Sequence, residues 1–204
     1  WIMVFRSFEL KKNIHFIEIN NETLKDYITW IEYLESVWWK IKAIICDWKR
    51  FNLNYFSLKY PVQMCVFHQI QIITRYITRR PKLQANIDLR ELTLLLTKTD
   101  KESFIWWLDD WYNKYKYFLD EKYINPFTWK LRYIHSRTRS AYFSLKRNLP
   151  YLWTWYDYLW VINIPNTTNS LDWIFTHFKT KLKVHRWLKK KRKLKIAFSL
   201  LDWK

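Results

Sequence analysis

Glycine is missing altogether from the 204 residues, where average usage of ~7% would supply about 14. As written, the chain therefore holds no glycine-rich phosphate loop. Cysteine is scarce. Cys46 and Cys65 cannot make a disulfide framework in a chain of this length, and they fit a reducing cytosol. Long apolar runs are lacking, and none approaches the ~18 residues of a membrane-spanning helix. The opening residues, Trp1-Ile2-Met3-Val4-Phe5-Arg6, lack the basic lead and long apolar stretch of a signal peptide. No Met stands at position 1, so the chain reads as a fragment. Acidic residues are few, 18 against 36 Lys and Arg, for a formal charge of +18. That imbalance predicts attraction to polyanions, nucleic acid first and an anionic membrane surface second. The lack of one long basic amphipathic helix argues against the membrane.

What is there instead is tryptophan, at 15 positions. Several occur where a turn or cap would want glycine: Asp47-Trp48-Lys49, Thr128-Trp129-Lys130 and Arg186-Trp187-Leu188. Glycine alone reaches positive φ without steric cost, and an indole at such a place strains the turn. One explanation is that these codons are UGA, translated here as Trp but decoded as Gly in the source. The plain alternative is a truly Trp-rich, glycine-free protein.

Half of the residues are hydrophobic, enough to bury a core. Residues 2–6 and 14–19 read as two strands joined by the polar turn Glu9–Asn13. Asn20 and Asn21 offer a cap for a helix with Leu24, Tyr27, Ile28, Ile31, Leu34 and Val37 on one face. Residues 41–46 read as a strand covered on both faces, and 62–67 as a further strand. Strand, strand, helix, strand, strand is an α/β pattern with a mixed sheet. Residues 70–150 then read as an all-helical insertion. It holds helices over 70–78 and 89–96, a long helix opened by a Thr99/Glu102 capping box and broken at Asn125-Pro126, and a basic helix over 136–147 ended by Pro150. Asn166-Thr167-Thr168 caps a final helix with Leu171, Ile174, Phe175, Phe178 and Leu182 on its apolar face. A basic tail follows.

Few residues could carry chemistry. Asp47 closes a strand, and open α/β sheets place ligands beyond the carboxyl ends of their strands. A carboxylate there can hold Mg²⁺, or can be an ordinary turn Asp. Asp172, in the first turn of the last helix, shares a face with Thr168, Asn169, Thr176 and Lys179. It can also be an acid stabilised by the helix dipole. Cys65-x-x-His68 could be half of a zinc site, but zinc needs four ligands. His177 and His185 complete one only if the fold brings them near. Arg132, Arg137, Arg139, Lys146 and Arg147 would neutralise phosphates. So would the tail, with Lys179, Lys183, His185, Arg186, Lys190 and Arg192.

These pieces resemble one family. Ile44-Ile45-Cys46-Asp47-Trp48-Lys49-Arg50 resembles the I-V-C-D-G-K-R segment of bacterial mutator-type insertion-sequence transposases. Pro61 to Gln69 is similar to their P-V-Q-M-C-Q-F-H-Q. Glu91–Phe104 and Arg139–Pro150 are similar to further stretches. Ile164 to Trp173 resembles I-P-N-T-T-N-x-L-E-G, and Lys179 to Leu188 the segment that follows. Trp1, Trp30, Trp38, Trp48, Trp129, Trp173 and Trp187 fall on family glycines. The resemblance implies an RNase H-like core at 1–69 lacking its first strand, a helical insertion at 70–160, and a catalytic helix with a basic tail at 161–204. It implies a DDE-type enzyme for DNA strand cleavage and strand transfer, cytoplasmic and homo-oligomeric on duplex DNA, with no membrane partner. Asp47 matches the second acid, and Asp172 the third, normally Glu. Both would bind Mg²⁺ (or Mn²⁺), with Cys65, His68 and Asn169 nearby. The first acid would precede Trp1, so these residues alone are expected not to cut DNA. The alternative is a non-catalytic DNA-binding remnant.

Overall fold

A computed structural model describes residues 2–47, 50–184 and 186–201, with backbone alone at 50–52. Its elements begin with β1 (Ile2–Arg6), β2 (Asn13–Glu18), α1 (Leu24–Ser36), β3 (Ile44–Cys46), α2 (Arg50–Phe56), β4 (Val62–Met64), α3 (Val66–Ile77) and α4 (Gln84–Leu94). After a 3₁₀ turn at Leu95–Thr97 come α5 (Lys101–Asp120), β5 (Lys122–Ile124), β6 (Leu131–Tyr133), α6 (Ser136–Leu152), α7 (Thr154–Asp157), α8 (Asn169–Val184) and α9 (Lys190–Leu201). The fold is mixed α/β with helix predominating. Among the described residues the strands pair two by two: β1 with β2, β3 with β4, β5 with β6. The chain divides into two compact units, one made of residues 1–41 with 168–204, the other of residues 42–167.

In the unit built from both chain ends, β1 and β2 form the expected antiparallel hairpin, Met3 opposite Ile17. Thr23, rather than Asn20 or Asn21, caps α1. Its hydroxyl accepts from the Asp26 amide while the Asp26 carboxylate accepts from the Thr23 amide, so two orphan donors are met reciprocally. The basic tail is not a loose extension, because residues 190–201 form α9, which buries Ala197 and Leu201. Phe198 lies against Phe16 of β2, with ring centroids 5.4 Å apart. Lys190 Nζ is 2.7 Å from Glu18 Oε1. Asn13 Nδ2 donates to the Leu201 carbonyl at 2.9 Å. α8 keeps its apolar stripe, yet none of its described side chains is fully buried.

In the central unit β3 and β4 run parallel, Ile45 opposite Gln63. β4 is the buried strand, and β3 is only half covered, against the expectation of a strand enclosed on both faces. The strand expected at 62–67 stops at Met64, and Val66 and Phe67 open α3. The cause lies in the backbone: the Cys65 amide closes the ladder on the Cys46 carbonyl, and the Val66 amide turns to the Asn166 carbonyl, each at 2.9 Å. α4 starts at Gln84, ahead of the expected Leu89. Asp100, not Thr99, caps α5 by accepting from the Ser103 amide at 2.8 Å. α5 ends at Asp120, before Asn125-Pro126, and that dipeptide turns the β5–β6 hairpin, so the insertion is not all helical. Pro150 lies inside α6 rather than ending it. In the last turn it removes a single donor, a loss the buried neighbours Asn148 and Leu152 outweigh. Phe104, Leu108, Trp111, Tyr142, Leu145 and Trp153 form the helical core. The indole of Trp111 donates to the Ala85 carbonyl at 3.1 Å and so ties α5 to α4. Among the described residues no helix is long and apolar enough to cross a membrane.

Candidate functional site

Parallel pairing puts the residues after β3 and β4 side by side. Asp47 leaves β3, and Cys65 leaves β4 as the N-cap of α3. His68, one turn into α3, comes back over Asp47, with Nδ1 2.9 Å from Oδ1. This is ion-pair range, though the ring N–H is not aligned for a full hydrogen bond. The His68 side chain is 18% exposed and that of Asp47 53%. The polar contact with Asp47 and a second with Cys65 push the imidazole up to about 10, burial opposing them. His68 is therefore an imidazolium at neutral pH. Desolvation, aided by the charges of Asp47 and Cys65, pushes the Cys46 thiol up to about 12. Cys46 is therefore a neutral thiol at neutral pH.

A buried polar net holds this corner from behind. Gln63 of β4 donates to the Leu152 carbonyl at 3.1 Å and accepts from the Trp155 amide at 2.9 Å. The Thr154 hydroxyl donates to the Val62 carbonyl at 2.7 Å. Asn148 of α6 donates to Gln69 Oε1, next to His68, at 2.8 Å. None of these residues was singled out by sequence, although a Gln inside the apolar run Val62-Gln63-Met64-Cys65-Val66 is a legible signal of a satisfied buried amide.

Asp172 belongs to the other unit. It lies in the first turn of α8, where its Oδ2 accepts from the Thr168 hydroxyl at 3.1 Å. Asn169 is the exposed first residue of that helix. His177 stacks on Trp173, with centroids 5.6 Å apart. Among the described residues no three His, Cys, Asp or Glu side chains converge to hold a metal ion. Asp47 and Asp172 fall in different units.

The expected DNA-binding residues fall into two sets. Three of those on α6 are engaged within the protein. Arg137 donates to the Arg75 carbonyl at 2.7 Å. Arg139 pairs with Asp120 at 2.7 Å and lies over the Tyr133 and Phe143 rings. Lys146 pairs with Asp109 at 3.1 Å. Arg132 and Arg147 are exposed. In the second set Lys179, Lys183, Arg186 and Arg192 are exposed, and among the described residues none has a carboxylate partner. Arg186 stacks on Trp187 at 5.3 Å, and Lys190 is the one paired to Glu18. His185, Trp1 and Trp48 lie outside the described residues.

No family model, curated protein or solved structure matches this chain.

Proposed function

We propose that this chain is a portion of a mutator-type, DDE-class transposase with an RNase H-like core, and that it grips duplex DNA mainly through residues 179–195. The observation that carries the reading is a convergence. Three segments of separate sequence, around Asp47, around Cys65 and His68, and at Asn166, meet at the carboxyl ends of β3 and β4. These are the segments on which the resemblance rests, and such strand ends are where open α/β sheets keep their ligands. Strand cleavage and transfer belong to the whole enzyme. Asp47 and Asp172 are two of the three acids it would need, and residues 1–204 alone bind DNA without cutting it. The close approach of His68 Nδ1 to Asp47 Oδ1, an oxygen a metal would need, favours one second reading, a non-catalytic DNA-binding remnant.

The test is a salt titration of binding to a duplex. Log affinity falls with log salt at about 0.9 per phosphate neutralised. Changing Lys179, Lys183, Arg186 and Arg192 together to Gln is expected to lower that slope by about 3 to 4. Changing Arg137, Arg139 and Lys146 is expected to alter it little. Equal loss from both sets, or no duplex binding at all, sinks the assignment of the surface. Mg²⁺-dependent nicking by residues 1–204, abolished in Asp47→Asn, would reject the inactive-alone reading.

A further inference from the structure

The backbone discriminates among the tryptophans, and it does so without reference to function. Four described residues have positive φ: Lys11, Trp38, Thr78 and Trp129, at 54°, 69°, 70° and 52°. Two of them are tryptophan, a residue for which left-handed backbone is a steric outlier.

Trp38 sits one residue beyond Val37, the C-cap of α1. Its amide donates to the Glu35 carbonyl at 3.1 Å, and the Trp39 amide donates to the Leu34 carbonyl at 3.0 Å. This pair of bonds, with a left-handed residue between the cap and the exit, is the Schellman helix ending. The left-handed position is the one glycine fills, because it has no Cβ to clash. Trp129 lies in the Asn125–Lys130 loop of the β5–β6 hairpin, one residue before its end. The Thr128 and Trp129 amides both donate to the Asn125 carbonyl, and the Asn125 amide donates to the Lys130 carbonyl. A type I turn followed by a left-handed residue is a common hairpin ending, and glycine again suits it.

Packing offers no compensation at either place. Trp38 is 95% exposed and Trp129 82%. By contrast Trp111 and Trp153 are 4% and 1% exposed and built into the core. Trp30 stacks on His15 at 4.3 Å and carries no such signature. We infer that positions 38 and 129 are glycine in the protein as its source makes it, through a UGA codon read as glycine, whereas Trp111 and Trp153 are genuine tryptophans. The exposed indoles at 38 and 129 are then no docking surface.

Mass spectrometry of tryptic peptides from the source protein tests this. The expected result is glycine at 38 and 129 with tryptophan at 111 and 153, and UGA and UGG codons respectively. Tryptophan in the peptides at 38 or 129 overturns it. An independent arm uses the purified chain. Trp38→Gly and Trp129→Gly are each expected to raise Tm by about 2–4 °C, and Trp111→Gly to lower it. Unchanged or lower Tm in both of the first two variants overturns the strain argument.

Discussion

Asp47 and His68 form a pair whose partners differ in solvent exposure, and that difference sets what the pair does for stability. The His68 imidazole titrates well above the usual ~6.5 of an unfolded chain. A group raised on folding adds stability that is fully present below its unfolded value and fades as pH climbs through its folded one. Stability should therefore decline between about pH 6.5 and 10. In Asp47→Asn most of that slope should vanish, along with on the order of 1–2 kcal/mol at neutral pH, since half-exposed Asp47 is screened by water. Urea midpoints measured across the range check it, and parallel profiles for the two proteins would reject the pairing. At this scale the sequence was informative: Asp47, Cys65 and His68 stood out by type and position. That His68 would spend its charge on Asp47 was not legible, since it depends on one turn of α3 returning over the end of β3.

Among the elements, β4 matters out of proportion to its three residues. It is clasped by α6 and α7 through the Gln63 amide and the Thr154 hydroxyl rather than by further strands. Asn148→Ala removes the donor to Gln69 Oε1 in a site where both residues are buried, and should cost about 1–3 kcal/mol. A double-mutant cycle with Gln69→Ala should show non-additivity, and simple addition of the two losses would mean the amides do not act together. Element identity was largely readable from apolar periodicity, as α1 and α5 show. Boundaries were not. Thr23 outcompeted Asn20 by reciprocal capping, the Asn166 carbonyl turned Val66 from strand to helix, and Pro150 was tolerated because it falls in a last turn. Each was decided by a partner remote from the local pattern or by a helix position that the pattern leaves open.

At the scale of the whole molecule, the charge of +18 is unevenly used. Three cations of α6 are held by Asp109, Asp120 and a backbone carbonyl, so net charge overstates their availability to a polyanion. Composition could predict the partner class but not which basic set would be open to it. The two units also differ in how the chain supplies them. Residues 42–167 are continuous, whereas the other unit takes its two halves from opposite ends of the chain. Ending the chain at 167 removes α8 and α9 but none of the buried core named for the central unit. The truncated protein should keep a cooperative melt, while amides in residues 2–18 should exchange with solvent like those of an open hairpin. Full protection of those amides in the truncated chain would contradict this.

That split supply has a consequence for birth on the ribosome. The middle of the polypeptide can finish folding while synthesis continues, but Phe16 of the first hairpin gains its ring partner only once Phe198 has emerged.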